Sequence, residues 1–253
     1  MNEQEALAVL TKKSDFDPEL MPFLADLFLN LTVLNPIRLE TARRLGPILD
    51  LRPGQRVLDL ACGKAGVSLP LVYTYKVNLV GVDLMPDFIR EAWSRAEHAG
   101  LLDKVQFILD DGASYVRNKP SIWEAVLIIG ALPFLWADMD QGLTIAAGLV
   151  KPGGHLVIGL PYLKPSGKQD PGEPLKSKDE ITSWLAGTGQ VVEILDDGDD
   201  GWKSYIEPQK KAAARLNETE THNEKLRQAL EGVLARLAWE ADNRGYALWV
   251  IKI

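Results

Sequence analysis

"VLDLACGKAG", residues 57–66, begins as an apolar run and then breaks into small residues around Asp59, Cys62 and Gly63. A buried strand that ends on a carboxylate and turns through residues with almost no side chain is suited to a ligand that approaches the backbone closely. A single glycine-containing turn does not define a fold, so the residues on either side have to supply the context.

Downstream, strand-like and helix-like runs alternate. KVNLVGVD (76–83), KVQFILD (104–110), EAVLIIG (124–130) and GHLVIGL (154–160) place branched apolar residues at adjacent positions, as strands covered on both faces do. The segments 67–75, 86–100 and 138–149 between them read as helices, the second opening on Met85-Pro86-Asp87. This βαβαβ order predicts a parallel sheet with right-handed crossovers. Lys151-Pro152-Gly153-Gly154 reads as a turn before a strand, and PYLKPSGKQDPGEPLKSKDE (161–180) as an exposed loop leading to a helix near 178–186. VVEILD (191–196) and YALWVIKI (246–253) supply two further strands. Between them lies an insertion whose helical stripe is Leu226, Leu230, Val233, Leu234 and Leu237, with Thr221 and Glu224 spaced as a capping box and Gly245 placed as a stop.

Upstream, Asp17-Pro18 and Asn35-Pro36 each set a capping side chain before a proline, which predicts two helix starts. The first helix, 18–31, carries Leu20, Phe23, Leu24, Leu27, Phe28 and Leu31 at helical spacing and must pack on something.

The chain has 253 residues, enough for one large α/β domain, with 46% hydrophobic and 25% charged residues as in globular proteins. A net charge of −7 argues against nucleic-acid or anionic-lipid partners. One cysteine, Cys62, excludes an internal disulfide and a cysteine-rich metal site; it reads as a packing residue, and a reducing compartment fits. His98, His155 and His222 are scattered without metal-ligand spacing, so no metal is expected. With no basic start leading into an apolar core and no apolar run near the ~20 residues that span a bilayer, a cytoplasmic location is expected.

VLDLACGKAG, then VGVDL (80–84), FILDDGAS (107–114) and KPGGHLVIGL (151–160), in that order, resemble a class I S-adenosylmethionine (SAM)-dependent methyltransferase of the small-molecule type. The resemblance covers about residues 55–160, and YALWVIKI resembles that family's closing antiparallel strand. It implies a Rossmann-like seven-stranded sheet, here with an N-terminal helical cap and a helical insertion before the last strand. The expected organisation is a single methyltransferase domain over 1–253: N-terminal helices 1–50, SAM-binding core 51–165, helical insertion 197–245 and closing strand 246–253.

By the same resemblance, Asp59 helps hold the amino-acid end of SAM and Gly63 matches the central glycine of the loop. Ala61 and Ala65 replace glycines common in the pattern, a change that suits backbone angles that are not glycine-specific. Asp83 resembles the acceptor of both ribose hydroxyls, a role that an acidic residue also plays in dinucleotide-binding dehydrogenases. Leu84 and Met85 would flank the adenine, Asp111 (or Asp110) would accept from its amino group, and Gly112, Ala113 and Gly130 would keep the backbone close. Phe134, Trp136, Tyr162, Trp202 and Tyr205 are the candidates for an acceptor pocket; no catalytic base stands out. IIGALPFLW (128–136) lacks the Asn/Asp-Pro-Pro-aromatic signature of base-modifying relatives, which favours a small-molecule acceptor and direct in-line displacement. The alternatives are an NAD(P)-dependent oxidoreductase, for which no intact G-x-G-x-x-G follows the first strand, and a SAM-binding sensor without transfer activity.

Overall fold

A computed structural model describes residues 1–13, 19–20, 23, 26–220 and 223–253. Its centre is a seven-stranded sheet in the order β3-β2-β1-β4-β5-β7-β6. The strands are β1 (Arg56–Leu60), β2 (Asn78–Asp83), β3 (Val105–Leu109), β4 (Trp123–Ile129), β5 (Val150–Leu163), β6 (Gln190–Asp196) and β7 (Arg244–Lys252). Pairs from β3 across to β5 are parallel, and β7 runs antiparallel to both β5 and β6. The first three strands grow outward in one direction from β1 and the rest in the other, so the chain reverses between β1 and β4. Open α/β sheets bind ligands at the strand carboxyl ends beside such a reversal.

Alternating side chains bury both faces. Val57, Leu79, Ala125, Leu127, Val157, Leu248 and Val250 pack on one side under α2 (Leu39–Arg43), α3 (Leu45–Ile48), α4 (Ser68–Tyr75) and α5 (Pro86–His98). Leu58, Leu60, Val126, Ile128, Leu156, Ile158 and Trp249 pack on the other under α6 (Gly112–Tyr115), α7 (Leu132–Leu135), α8 (Met139–Leu149) and α9 (Lys178–Leu185). The chain between β6 and β7 forms two long helices, α10 (Gly198–Thr219) and α11 (Glu224–Asn243); a further helix, α1 (Glu3–Lys13), lies near the N-terminus.

Several local expectations change. Asp17-Pro18 and much of the helix expected over 18–31 lie outside the described residues; Leu20, Phe23, Leu27 and Phe28 pack against Ala212, Leu216, Leu226 and Leu230 of the insertion. No helix starts at Pro36. Asn35 instead makes a tight turn, its carbonyl accepting the Ile37 N–H at 2.7 Å, and the helix begins at Leu39. Thr221 and His222 lie outside the described residues, and the α11 cap is Asn223, which accepts the Leu226 N–H at 3.0 Å. Gly245 is not a helix stop: it lies within β7, where a Cβ would fall 2.0 Å from Tyr162 Cζ. The Lys151-Pro152-Gly153-Gly154 stretch is part of β5, with a register shift opposite Trp123 and Ala125.

Among the described residues, no helix is long and apolar enough to cross a membrane, and no cluster of His, Cys, Asp and Glu could hold a metal ion. Trp249 is fully buried and donates its indole N–H to Thr182 Oγ1 at 2.8 Å, which fastens α9 to the closing strand. Trp249→Ala should cost about 3–5 kcal/mol of unfolding free energy, read as a lowered urea midpoint.

Candidate active site

Strands β1, β2 and β3 end side by side and deliver Asp59, Asp83 and the Asp110-Asp111 pair to one edge of the sheet. Asp83 is the centre of this edge. Its carboxylate accepts the Gly63 N–H at 2.7 Å and the Met85 N–H at 2.8 Å, so one side chain fixes both the loop after β1 and the entry to α5. Burial raises its pKa, and the backbone N–H groups of Met85, Gly63 and Leu84 counter that rise.

The loop after β1 is a left-handed staircase: Ala61, Gly63 and Ala65 have φ of 57°, 53° and 55°. The alanines thus occupy the left-handed conformation that favours glycine. Each methyl costs about 1–2 kcal/mol relative to a relaxed backbone. The Cys62 N–H to Val82 carbonyl bond (3.1 Å) and the Ala65 N–H to Cys62 carbonyl bond (2.8 Å) hold this shape. Cys62 itself is buried, and its thiol is pushed well up by burial and by the neighbouring Asp59 and Asp83, so it serves as packing rather than as a nucleophile.

Asp59 sits below the loop. Burial pushes its pKa up to about 7 and repulsion from Asp83 adds to the rise; the hydroxyl of Ser68, buried beside it, offsets a part. Asp111 caps α6, accepting from Ser114 N at 3.2 Å and Ser114 Oγ at 2.9 Å, while its other oxygen takes the Lys13 ammonium at 2.5 Å. Lys13 also reaches the Phe134 carbonyl at 3.3 Å, so α1 closes over this end of the sheet.

These residues surround a cavity of about 230 Å³. Of the residues singled out in the sequence, Ala61, Asp83, Leu84, Met85, Asp111, Gly112 and Phe134 line it. Asp59 and Gly63 line a smaller adjoining cavity of about 40 Å³, shared with Thr32–Asn35. Ala113 packs into the core beneath, and Gly130, at φ 77°, lies at the end of β4 beside Asn35.

Most of the expected aromatic pocket is not assembled. Trp136 is buried against Gly142 of α8, and Tyr162 donates to Asp196 Oδ2 at 2.7 Å and packs edge-on to Trp249. Trp202 packs with Ile206 and Leu237 between α10 and α11. Only Phe134 lines the main cavity, while Tyr205 lines a separate one beneath α10.

Sequence reasoning missed Lys13, Asn35 and Lys64. Lys64 is almost fully buried, donates to the Phe28 and Leu29 carbonyls at 2.7 and 3.1 Å, and pairs with Glu91 at 3.1 Å. It therefore straps the N-terminal segment onto the loop. A lysine in the middle of a small-residue loop was the available signal.

Fold and site together define the class I methyltransferase architecture. Residues 57–154 match the methyltransferase domain family. The chain is 31% identical over 128 residues to the Escherichia coli (strain K12) uncharacterized protein YjhP, covering 51% of this chain and 50% of that one. It is 40% identical over 126 residues to phosphoethanolamine N-methyltransferase 3 of Arabidopsis thaliana, covering 47% and 24% of the respective chains. The chain thus spans half or less of the length of these curated relatives. A SAM-dependent methyltransferase from Geobacter sulfurreducens, solved with S-adenosyl-L-homocysteine, superposes with TM-score 0.79 at 24% identity over 91% of this chain and 97% of that one. A methyltransferase-domain match over residues 57–154 thus sits in a chain with the class I methyltransferase fold.

Two predictions follow from the loop and its carboxylate. Ala61→Gly should raise stability by about 1 kcal/mol in urea unfolding, because it removes a methyl from a left-handed backbone. Asp59 has a folded-state pKa near 7 against 3.8 for the free side chain, so between about pH 4 and 7 the folded state binds the extra proton. Stability should accordingly fall as pH rises through that window. Asp59→Asn should flatten the fall, matching the parent below about pH 4 and exceeding it above about pH 7 by on the order of a few kcal/mol.

Proposed function

We propose that the protein is a SAM-dependent methyltransferase that acts on a small-molecule acceptor. The observation that carries this reading is the cavity at the ends of β1–β3, where three carboxylates, Asp83, Asp110 and Asp111, and the Lys13 ammonium meet apolar walls formed by Leu84, Met85, Ala131 and Leu135. Those walls fit a flat heterocycle, and the carboxylates fit its polar edge and an attached sugar. Asp83 is assigned to the ribose hydroxyls, Asp111 to the base, and Leu84, Met85, Gly112 and Ala113 to the walls around it. Ala61, Gly63 and Gly130 give the ligand access to backbone, and Asp59 faces its ammonium end through the small adjoining cavity. Bound SAM supplies an electrophilic methyl carbon on a sulfonium.

The acceptor's lone pair forms the new bond to that carbon as the sulfur–carbon bond breaks, its electrons returning to sulfur, and the acceptor's proton passes to water. The chain's part is to position and to exclude water. Lys64 fixes the N-terminal segment over the loop, and Lys13 fixes α1 over the cavity. The net charge of −7 and the absence of the base-modifying signature support a small molecule over nucleic acid. The lone cysteine supports a cytoplasmic location, and the shared cores support one methyltransferase unit over 1–253.

Titration calorimetry with S-adenosylhomocysteine, with NAD in parallel, tests the assignment. Saturable binding of S-adenosylhomocysteine alone is expected, and Asp83→Ala should weaken it by ~10- to 100-fold in protein shown by circular dichroism to be folded. Binding of NAD instead would move the protein to the oxidoreductases. Binding without methyl transfer to any acceptor would make it a sensor.

A further inference from the structure

Tyr246, near the start of β7, is 4% exposed, and its hydroxyl has no hydrogen-bond partner. A buried phenol without a partner destabilises a fold, so its retention calls for a reason. The hydroxyl stands over two glycines at the ends of neighbouring strands. A Cβ on Gly159 would fall 2.6 Å from it, and one on Gly130 would fall 3.1 Å from it.

Asn35 meets it there. A Cβ on Gly130 would also fall 2.1 Å from Asn35 Oδ1. The Asn35 amide donates to the Ile129 carbonyl at 3.3 Å, which turns Oδ1 toward Gly130, where no group among the described residues donates to it. Asn35 lines both the cavity beside Asp59 and a second one of about 230 Å³ bounded by Tyr205 and Pro208 of α10. A free donor and a free acceptor therefore flank one spot, between the cavity assigned to the amino-acid end of the cofactor and a path to the insertion.

We propose that Asn35 and Tyr246 form the acceptor subsite, holding a neutral hydroxyl nucleophile that accepts from the Tyr246 phenol and donates to Asn35 Oδ1. Such a nucleophile satisfies both orphaned groups at once. Its remaining lone pair stays available for the methyl carbon, and its proton, held on Asn35 Oδ1, leaves to water once the bond to carbon has formed. Tyr246 serves as donor and not as base, because burial and the nearby Tyr205 hold its pKa well above the ordinary value.

The charges around the subsite argue against a phosphorylated acceptor. Arg38 is paired with Asp197 at 3.0 Å, and Lys64 is spent on two carbonyls and Glu91. Asp59 and Glu40 are the other charged groups on the two cavities. The positions outside the described residues include no lysine or arginine.

The inference rests on the methyltransferase reading, and its test separates the two. The first step is calorimetry with S-adenosylhomocysteine on the parent and Tyr246→Phe; equal affinities are expected, and failure of the parent to bind would overturn both readings. The second is carbon NMR of protein labelled at tyrosine Cζ and saturated with S-adenosylhomocysteine, with the Tyr246 signal identified by its loss in Tyr246→Phe. Phenol should shift that signal saturably in the parent and not in Asn35→Leu, and phosphoethanolamine should leave it in place. A signal that phenol does not move, or that phosphoethanolamine moves, overturns the subsite while leaving the cofactor reading intact. Where labelled SAM shows methylation of a probe, Tyr246→Phe should lower it by ~10-fold although it melts higher than the parent. Unchanged transfer in that variant overturns the proposal.

Discussion

The Asp83 carboxylate is buried at the end of β2 and is held there by two backbone N–H groups, one from the loop after β1 and one from the start of α5. Burying a carboxylate is costly unless its oxygens are occupied, and these two bonds are what make the position tenable. They also dictate the loop. To point its N–H at Asp83, Gly63 takes a left-handed conformation, and Ala61 and Ala65 take the same hand on either side although each carries a methyl. The strain in the loop and the carboxylate that organises it are parts of one arrangement.

What lies above the loop follows from it. The staircase leaves Lys64 pointing away from the sheet into the N-terminal segment, where two carbonyls and Glu91 receive its charge. Gly66 lets the same segment lie directly on the loop, since a Cβ there would fall 1.7 Å from the Thr32 carbonyl oxygen. That contact sets Asn35 beside Gly130. The insertion then supports the segment from outside through Leu216, Leu226 and Leu230. Elements far apart in sequence thus converge on the strand ends because one loop cannot be covered by its own neighbours.

The sheet was legible from sequence because each of its strands is a short run of adjacent branched residues, a pattern that only burial on both faces explains. Asp59, Asp83 and Asp111 were legible as strand-end acids because each stands at or near the end of a run of mostly branched apolar residues. Helix starts were less so: Asn35-Pro36 has the local chemistry of a cap, yet a tertiary bond from its amide to Ile129 decides its conformation. Trp136, Tyr162 and Trp202 have the composition of a ligand pocket, but whether an aromatic faces a cavity or a core depends on the rotation of its element, which residue type does not encode. Gly245 shows the same limit, its role being room for the Tyr162 ring on the adjacent strand rather than the end of a helix. Tyr246 lies in a strand that reads as uniformly buried, and only the coordinates reveal that its hydroxyl has been left without a partner.

Two kinds of unfinished polar group remain at the strand ends, and they differ in sign. Asp59 is a buried carboxylate that burial and the charge of Asp83 push up to about 7, so this side of the site gains from a cation. Tyr246 and Asn35 carry no charge and lack only hydrogen bonds, so their side gains from a neutral group that both donates and accepts. A cationic ligand and a neutral one, bound next to each other across Gly130, satisfy what the fold alone leaves open. The empty protein is less stable than its core would allow because these needs go unmet, and binding energy is thereby concentrated at the one edge of the sheet where the chain reverses direction.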